Sequence, residues 1–291
     1  MEKYVKTIEE QIELLQLRGM IFEDKEKARE ILRDIGYYRL GFYWFYFQSD
    51  KERHVFKNDV RFSTIVSLYY LDTDLRFLLV RMLSRIEINL RTQIIYIVSN
   101  FYPKNPIWFA DPKIMHKNFI DELPNYYTET FKSQHIVIAK HHRKYTNDRY
   151  APAWKTLEFM SLGSIFQIFK ALKNQALKQE IANAYGIRNV KIFENYLRVI
   201  VYIRNICSHT GVLFDLNSYF SIKSSSVCPI QSDKRNSLQA IITIVHYFLK
   251  IISDNRAQEM KEEIDKLFLK HIDNEYIVEI IREKMKFSLV Y

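Results

Sequence analysis

From residue 61 to residue 100 the chain contains neither glycine nor proline. Those are the two residues that most readily end a helix, so the stretch predicts one long helix or two nearly continuous ones. Within it Leu68, Leu71, Leu75, Leu78 and Met82 recur at steps of three and four, which gives the helix an apolar face. The rest of the chain has the same habit. Six glycines and six prolines in 291 residues leave few turns, and few turns in a long chain mean long helices. The expected fold class is all-α, with 48% hydrophobic residues to fill the core.

Shorter signals divide the remainder. Val5, Ile8, Ile12 and Leu15 predict an amphipathic helix over residues 1–18. Asp24 reads as the cap of a second helix carrying Ala28, Ile31, Leu32 and Ile35, which Gly36 stops. The run Tyr37-Tyr38-Arg39-Leu40-Gly41-Phe42-Tyr43-Trp44-Phe45-Tyr46-Phe47 reads first as a helix wedged into the core and second as a platform for stacking bases. Residues 48–59 are polar and read as a loop. Pro103, Pro106, Pro112 and Pro124 predict short pieces over residues 101–125, and residues 161–163 read as a turn. Asn189 is placed to cap a helix over residues 190–209, and the Ser-rich stretch 210–233 after it reads as a mobile loop. Helices resume at residues 237–252, 256–271 and 273–286.

The helix over residues 190–209 has two useful faces. Phe193, Tyr196, Ile200, Ile203 and Cys207 form a buried stripe, whereas Arg198, Tyr202, Asn205 and His209 step along the other side. Arg204 sits beside that polar stripe, and its long side chain is expected to lean towards His209. Histidine exchanges a proton near neutral pH, arginine holds phosphate in a fork, and asparagine orients either of them. Arg204, Asn205 and His209 therefore make a reagent set for phosphodiester chemistry.

Other charges have two readings. Asp72 with Arg76 and Glu87 with Arg91 lie four residues apart on the long helix, the spacing of exposed intrahelical ion pairs. Alternatively, Glu87 and Arg91 face the Arg204–His209 end and orient the imidazole or contact substrate, with Tyr202 in a similar supporting role. Lys140-His141-His142-Arg143-Lys144 is the densest basic cluster and, with Arg198, is the candidate phosphate-contacting surface for RNA. The formal charge of +9 points to an anionic partner, nucleic acid first.

Cys207 and Cys228 are too few for a disulfide framework, and no signal peptide is read at the start, so a cytoplasmic location is expected. Cys207, His209 and Cys228 lack a fourth ligand for zinc, and neither a metal nor a cofactor is expected. The uncharged part of the helix near residues 236–249 is shorter than a bilayer needs, so no membrane partner is expected.

The hexapeptide Arg204-Asn205-Ile206-Cys207-Ser208-His209 matches the R-x(4)-H motif of HEPN domains, including the polar residue after the arginine. Tyr37-Tyr38-Arg39-Leu40, Leu68-Tyr69-Tyr70-Leu71-Asp72-Thr73-Asp74-Leu75-Arg76, Ile86-Glu87-Ile88-Asn89-Leu90-Arg91 and Trp154-Lys155-Thr156-Leu157-Glu158-Phe159-Met160-Ser161-Leu162-Gly163 resemble the Abi_2 family. These are abortive infection proteins of the AbiD/AbiF kind. The resemblance covers roughly residues 20–220. It implies a HEPN-like helical bundle over residues 59–233, with an N-terminal helical segment, 1–58, packed on it and a C-terminal helical extension, 234–291. It also implies a toxin-like, metal-independent endoribonuclease with a composite site in a homodimer, held in check by an inhibitory small RNA or a protein antitoxin. The alternative is a non-catalytic RNA-binding module governed by such a partner.

Overall fold

A computed structural model describes residues 4–288. Among the described residues the chain forms fourteen α-helices and one small two-stranded sheet, so the fold is all-α as the scarcity of turns requires. It divides into two compact units, each discontinuous in sequence. One comprises Met1–Leu78, Thr210–Asn217 and Glu262–Tyr291, and the other Leu79–His209 and Ser218–Lys261.

In the first unit, α1 (Ile8–Leu17) packs on α2 (Lys25–Asp34). The first helix starts later than expected. Thr7 and Glu10 form a reciprocal capping box that sets the start, so Val5 precedes the helix and is exposed. Residues 1–3 lie outside the described residues. Asp24 caps α2 as expected by accepting from the Lys27 amide, and Gly36, at a φ of 88°, turns the chain into α3 (Tyr37–Trp44). Residues 48–59 are not simply a loop: β1 (Gln48–Asp50) pairs antiparallel with β2 (Val55–Phe56).

The stretch without glycine or proline folds as α4 (Phe62–Phe101), one helix of 40 residues that contributes to both units. Leu68, Leu71, Leu75, Leu78 and Met82 are all buried.

The second unit takes the C-terminal part of α4 together with α5 (Lys117–Tyr126), α6 (Glu129–Gln134), α7 (Ile136–Lys144), α8 (Ala153–Thr156), α9 (Leu162–Ala171), α10 (Gln175–Asn183), α11 (Val190–Ser208) and α12 (Leu238–Ile252). Pro124 lies inside α5 rather than ending it. Ser161 caps α9, so the expected turn at residues 161–163 is the first turn of a helix. Two helices complete the chain, α13 (Asp254–Leu269), shared between the units, and α14 (Glu275–Glu283) in the first.

At the centre of the second unit, α11 packs against α9, α10 and α12. Asn189 caps its start by accepting from the Lys191 and Ile192 amides. Phe193 stacks on Tyr185 at 5.4 Å and meets Phe169 edge-on at 5.2 Å, and Phe248 of α12 closes the cluster. The Tyr185 hydroxyl donates to Asn89 Oδ1 at 2.6 Å, which anchors α4 to this core. Burying one stripe of α11 in this way fixes its rotation about its own axis.

Candidate functional site

Phe193, Tyr196, Ile200, Ile203 and Cys207 are buried, and with that stripe committed to the core, Arg198, Asn205 and His209 are exposed. Tyr202 and Arg204 are partly covered. Four residues separate Asn205 from His209, so they stand one turn apart on one side of the helix. Five residues separate Arg204 from His209, which rotates them about 140° apart.

The Arg204 side chain does not lean towards the histidine. Its Nε lies 3.4 Å from Glu87 Oε2 on α4, and its Nη1 donates to Asn205 Oδ1 at 3.1 Å. Glu87 is a bridge: its other oxygen, Oε1, accepts from Arg91 Nη2 at 3.0 Å. Arg91 is buried and also donates to the Met160 carbonyl oxygen at 3.1 Å, and Glu158 Oε1 stands 3.9 Å from its Nη1. The Glu87–Arg91 pair is thus not the exposed surface pair that its spacing allowed. Its carboxylate joins the motif arginine to the segment between α8 and α9. Glu158 and Met160 take part without having been singled out as site residues; the resemblance block containing them was the available signal.

His209 is the C-terminal cap of α11. Its backbone amide donates to the Asn205 carbonyl at 3.0 Å, and the chain reverses at Thr210, whose φ is 55°. No hydrogen bond or ion pair holds its imidazole among the described residues. About two turns earlier, Tyr202 meets Tyr219 and Phe220 edge-on at 5.6 and 5.5 Å, and the Arg198 guanidinium lies 5.5 Å from the Phe220 ring. Burial, reinforced by Tyr219, pushes the Tyr202 hydroxyl above its ordinary pKa.

The Ser-rich stretch after the motif is irregular, but it is pinned rather than loose. In the second unit, Asn195 Oδ1 accepts from the Lys223 amide at 2.8 Å and its Nδ2 donates to the Ser221 carbonyl at 3.0 Å. Tyr196 donates to Ser225 Oγ at 3.0 Å, and Ile222, Cys228 and Ile230 are buried. In the first unit, residues 210–217 are gripped from α4. Asp72 Oδ1 accepts from the Leu213 and Phe214 amides, both at 2.8 Å, and Tyr43 donates to its Oδ2 at 3.0 Å. Arg76 donates to the Gly211 carbonyl at 3.0 Å and pairs with Asp72 at 3.2 Å. Asp72 and Arg76 are therefore a buried clamp, not an exposed pair.

The basic cluster is smaller at the surface than in sequence. His141 is buried and bonded through Nε2 to Asp148 at 3.0 Å, so it is withdrawn from any contact with RNA. His142 shares a 2.8 Å hydrogen bond with the Tyr127 hydroxyl, and burial with nearby Lys132 and His141 lowers its pKa. Lys140, Arg143 and Lys144 remain exposed. Among the described residues no group of three or more His, Cys, Asp or Glu is placed to hold a metal ion. Burial pushes the Cys228 thiol up to about 11.

A model of the Abi-like protein family, Abi_2, matches residues 30–215. The chain belongs to this family. The matched region contains every residue of the Arg204–Glu87–Arg91 bridge, His209 and the Asp72–Arg76 clamp, while α12, α13 and α14 lie beyond it. Membership associates this Abi-like protein with abortive infection and defence. No curated protein and no solved structure matches the chain. No helix among the described residues is long and apolar enough to cross a membrane.

Proposed function

We propose that this Abi-like protein is a HEPN-type endoribonuclease acting in anti-phage defence, in the manner of a toxin. The observation that carries the reading is the division of α11. One face is buried, while the other presents Asn205 and His209 beside an arginine oriented by Glu87. RNA supplies its own nucleophile. The 2′-oxygen attacks the adjacent phosphorus, the P–O5′ bond breaks, and a 2′,3′-cyclic phosphate and a 5′-hydroxyl result. One group must take the 2′-hydroxyl proton and another must give a proton to the leaving 5′-oxygen. His209 serves these transfers, Arg204 neutralises charge at the phosphate, and Asn205 positions phosphate or imidazole. Each chain carries one such histidine, so two copies meeting through this face supply both proton-transfer groups in a composite homodimeric site. Glu87 and Arg91 orient Arg204, Tyr202 supports the substrate, and Arg198, Lys140, Arg143 and Lys144 contact phosphates. A small RNA or protein antitoxin would hold the activity in check.

One observation favours a second reading, a non-catalytic RNA-binding module. The His209 imidazole has no partner among the described residues to orient it, and the residue serves as the C-terminal cap of α11, a purely structural place. Cleavage of single-stranded RNA in EDTA separates the two. The nuclease reading expects cyclic-phosphate ends from the wild type, no cleavage of DNA, and a loss of about a hundredfold or more in His209→Ala. Equal binding by both proteins with cleavage by neither would establish the module. Undiminished cleavage by His209→Ala would remove the histidine from the mechanism.

A further inference from the structure

The aromatic run at residues 37–47 splits between two environments. Leu40, Tyr43, Trp44 and Phe47 are buried in the first unit, but Tyr38, Phe42 and Phe45 remain exposed although they belong to the same short stretch. Phe42 and Phe45 open onto a cavity of about 360 Å³, completed by Tyr46, Lys51, Lys284, Val212 and residues 214–217. That volume falls within the usual small-ligand range of about 300–1,000 Å³. The aromatic rings around it are accompanied by cations. Lys51 Nζ lies 4.6 Å from the Phe45 ring centre, Lys284 Nζ 5.4 Å from that of Tyr46, and the Arg39 guanidinium 5.9 Å from that of Phe42.

The cations have different commitments. Lys284 pairs with Asp215 at 3.0 Å, and Arg39 donates to the Thr210 carbonyl at 2.6 Å. Lys51 has no carboxylate partner among the described residues. Exposed rings offer flat apolar faces, and an unpaired lysine beside them offers a phosphate contact. That pairing of functions is what an unstacked nucleotide requires: a surface for the base and a cation for its backbone. The net charge of +9 attracts the same ligand.

We propose that this cleft binds an unpaired nucleotide of single-stranded RNA, its base stacked on Phe42 and Phe45 and its phosphate held by Lys51. The site lies wholly in the first unit, whereas Arg204, Asn205 and His209 belong to the second, so it does not rest on the nuclease reading. Base-paired RNA, whose bases are already stacked, has nothing to place there.

The test is binding of the full chain to short labelled RNA made of 2′-O-methyl nucleotides, which cannot be cut through the 2′-oxygen. Fluorescence anisotropy would be read for single-stranded and duplex forms. Phe42→Leu/Phe45→Leu keeps the apolar bulk and removes the π-faces. It should weaken single-strand binding about tenfold or more and leave duplex binding unchanged. Lys51→Gln should reduce the salt dependence of single-strand binding by about 0.7 in the log–log slope, the value for one lost phosphate contact. Should the double variant misfold, Phe45→Leu alone gives the same comparison with a smaller loss, and 4-thiouridine crosslinking of the wild type should label residues 37–51. Single-strand affinity unchanged in the leucine variants would overturn the proposal. So would crosslinks confined to other residues. Loss of self-association with RNA affinity intact would assign the rings to a protein contact instead. Failure of the cleavage assay would leave these results readable, because none of them depends on turnover.

Discussion

Glu87 is the residue whose removal tests the site most directly. Its carboxylate lies 3.0 Å from Arg91 and 3.4 Å from Arg204, and its side chain is 17% exposed, against 9% for Arg91 and 30% for Arg204. At an effective dielectric constant of about 20, a charge pair at 3 Å is worth roughly 5 kcal/mol before the cost of removing both groups from water. Most of that cost has already been met in the native state, so deleting Glu87 leaves buried Arg91 with only the longer 3.9 Å contact to the half-exposed Glu158 to match its charge. Removing one partner of a buried pair commonly costs about 3–5 kcal/mol. Arg204 is better solvated and adds less, so Glu87→Ala should lose about 3 kcal/mol. Glu87→Gln, which keeps an acceptor for Arg91, should lose about 1–2 kcal/mol, near the worth of a hydrogen bond to a charged group. Denaturant unfolding followed by tryptophan fluorescence measures both. A cycle of Glu87→Ala with Arg204→Ala should give a coupling of about 0.5–3 kcal/mol. A loss below about 0.5 kcal/mol in Glu87→Ala, the size typical of an unremarkable surface substitution, would refute the bridge. A coupling of zero would show that Glu87 does not hold the motif arginine.

Other perturbations follow from the same contacts. Asp72→Ala strands Arg76 and the amides of Leu213 and Phe214 in a buried setting, so it should cost about 3–5 kcal/mol, part of it recovered by Arg76→Met in a double variant. Asn195→Ala removes both hydrogen bonds to residues 221–223 and should cost about 2 kcal/mol; limited trypsin digestion should then cut sooner after Lys223. His142, His246 and His271 are all held below the ordinary imidazole pKa of 6.5, first by burial and then by neighbouring lysines. The folded state therefore binds fewer protons than the unfolded one just below that value, so stability is full above about pH 6.5 and falls on acidification. Denaturation midpoints at about pH 7.5 and 5.5 should differ in that direction, and His246→Gln should narrow the gap. A higher midpoint in acid would contradict this assignment.

The helices were legible because their signals are local. Missing glycine and proline made α4 readable to within about one residue at each end, and Asp24, Asn189 and Gly36 marked boundaries through their own backbone chemistry. The buried stripe of α11 was legible for the same reason, since periodicity records which side of a helix is apolar. Where the reading failed, the deciding partner was mostly distant in sequence, the local capping box at the start of α1 being the exception. Val5 matched the stripe of α1, but Thr7 fixed the start of the helix. The serine-rich residues 210–233 looked mobile because loops and pinned segments share a composition. Asn195, Tyr196, Asp72 and Arg76 pin them, and nothing near residue 220 announces those partners.

By itself, the sequence determined that this chain is helical, which face of α11 goes inward, and that Arg204, Asn205 and His209 stay off that inward stripe. Tertiary structure alone decided what the charges meet. The four-residue spacing that placed Asp72 with Arg76 and Glu87 with Arg91 is equally suited to a solvated surface pair, because spacing along one helix carries no information about what packs over it. Folding placed Leu213 and Phe214 over the first pair and Arg204 beside the second. It also turned His141 inward to Asp148 while leaving Lys140, Arg143 and Lys144 in water. Burial and electrostatics depend on neighbours brought together through space, and that is why the chemistry of these residues could be named in advance but their roles could not.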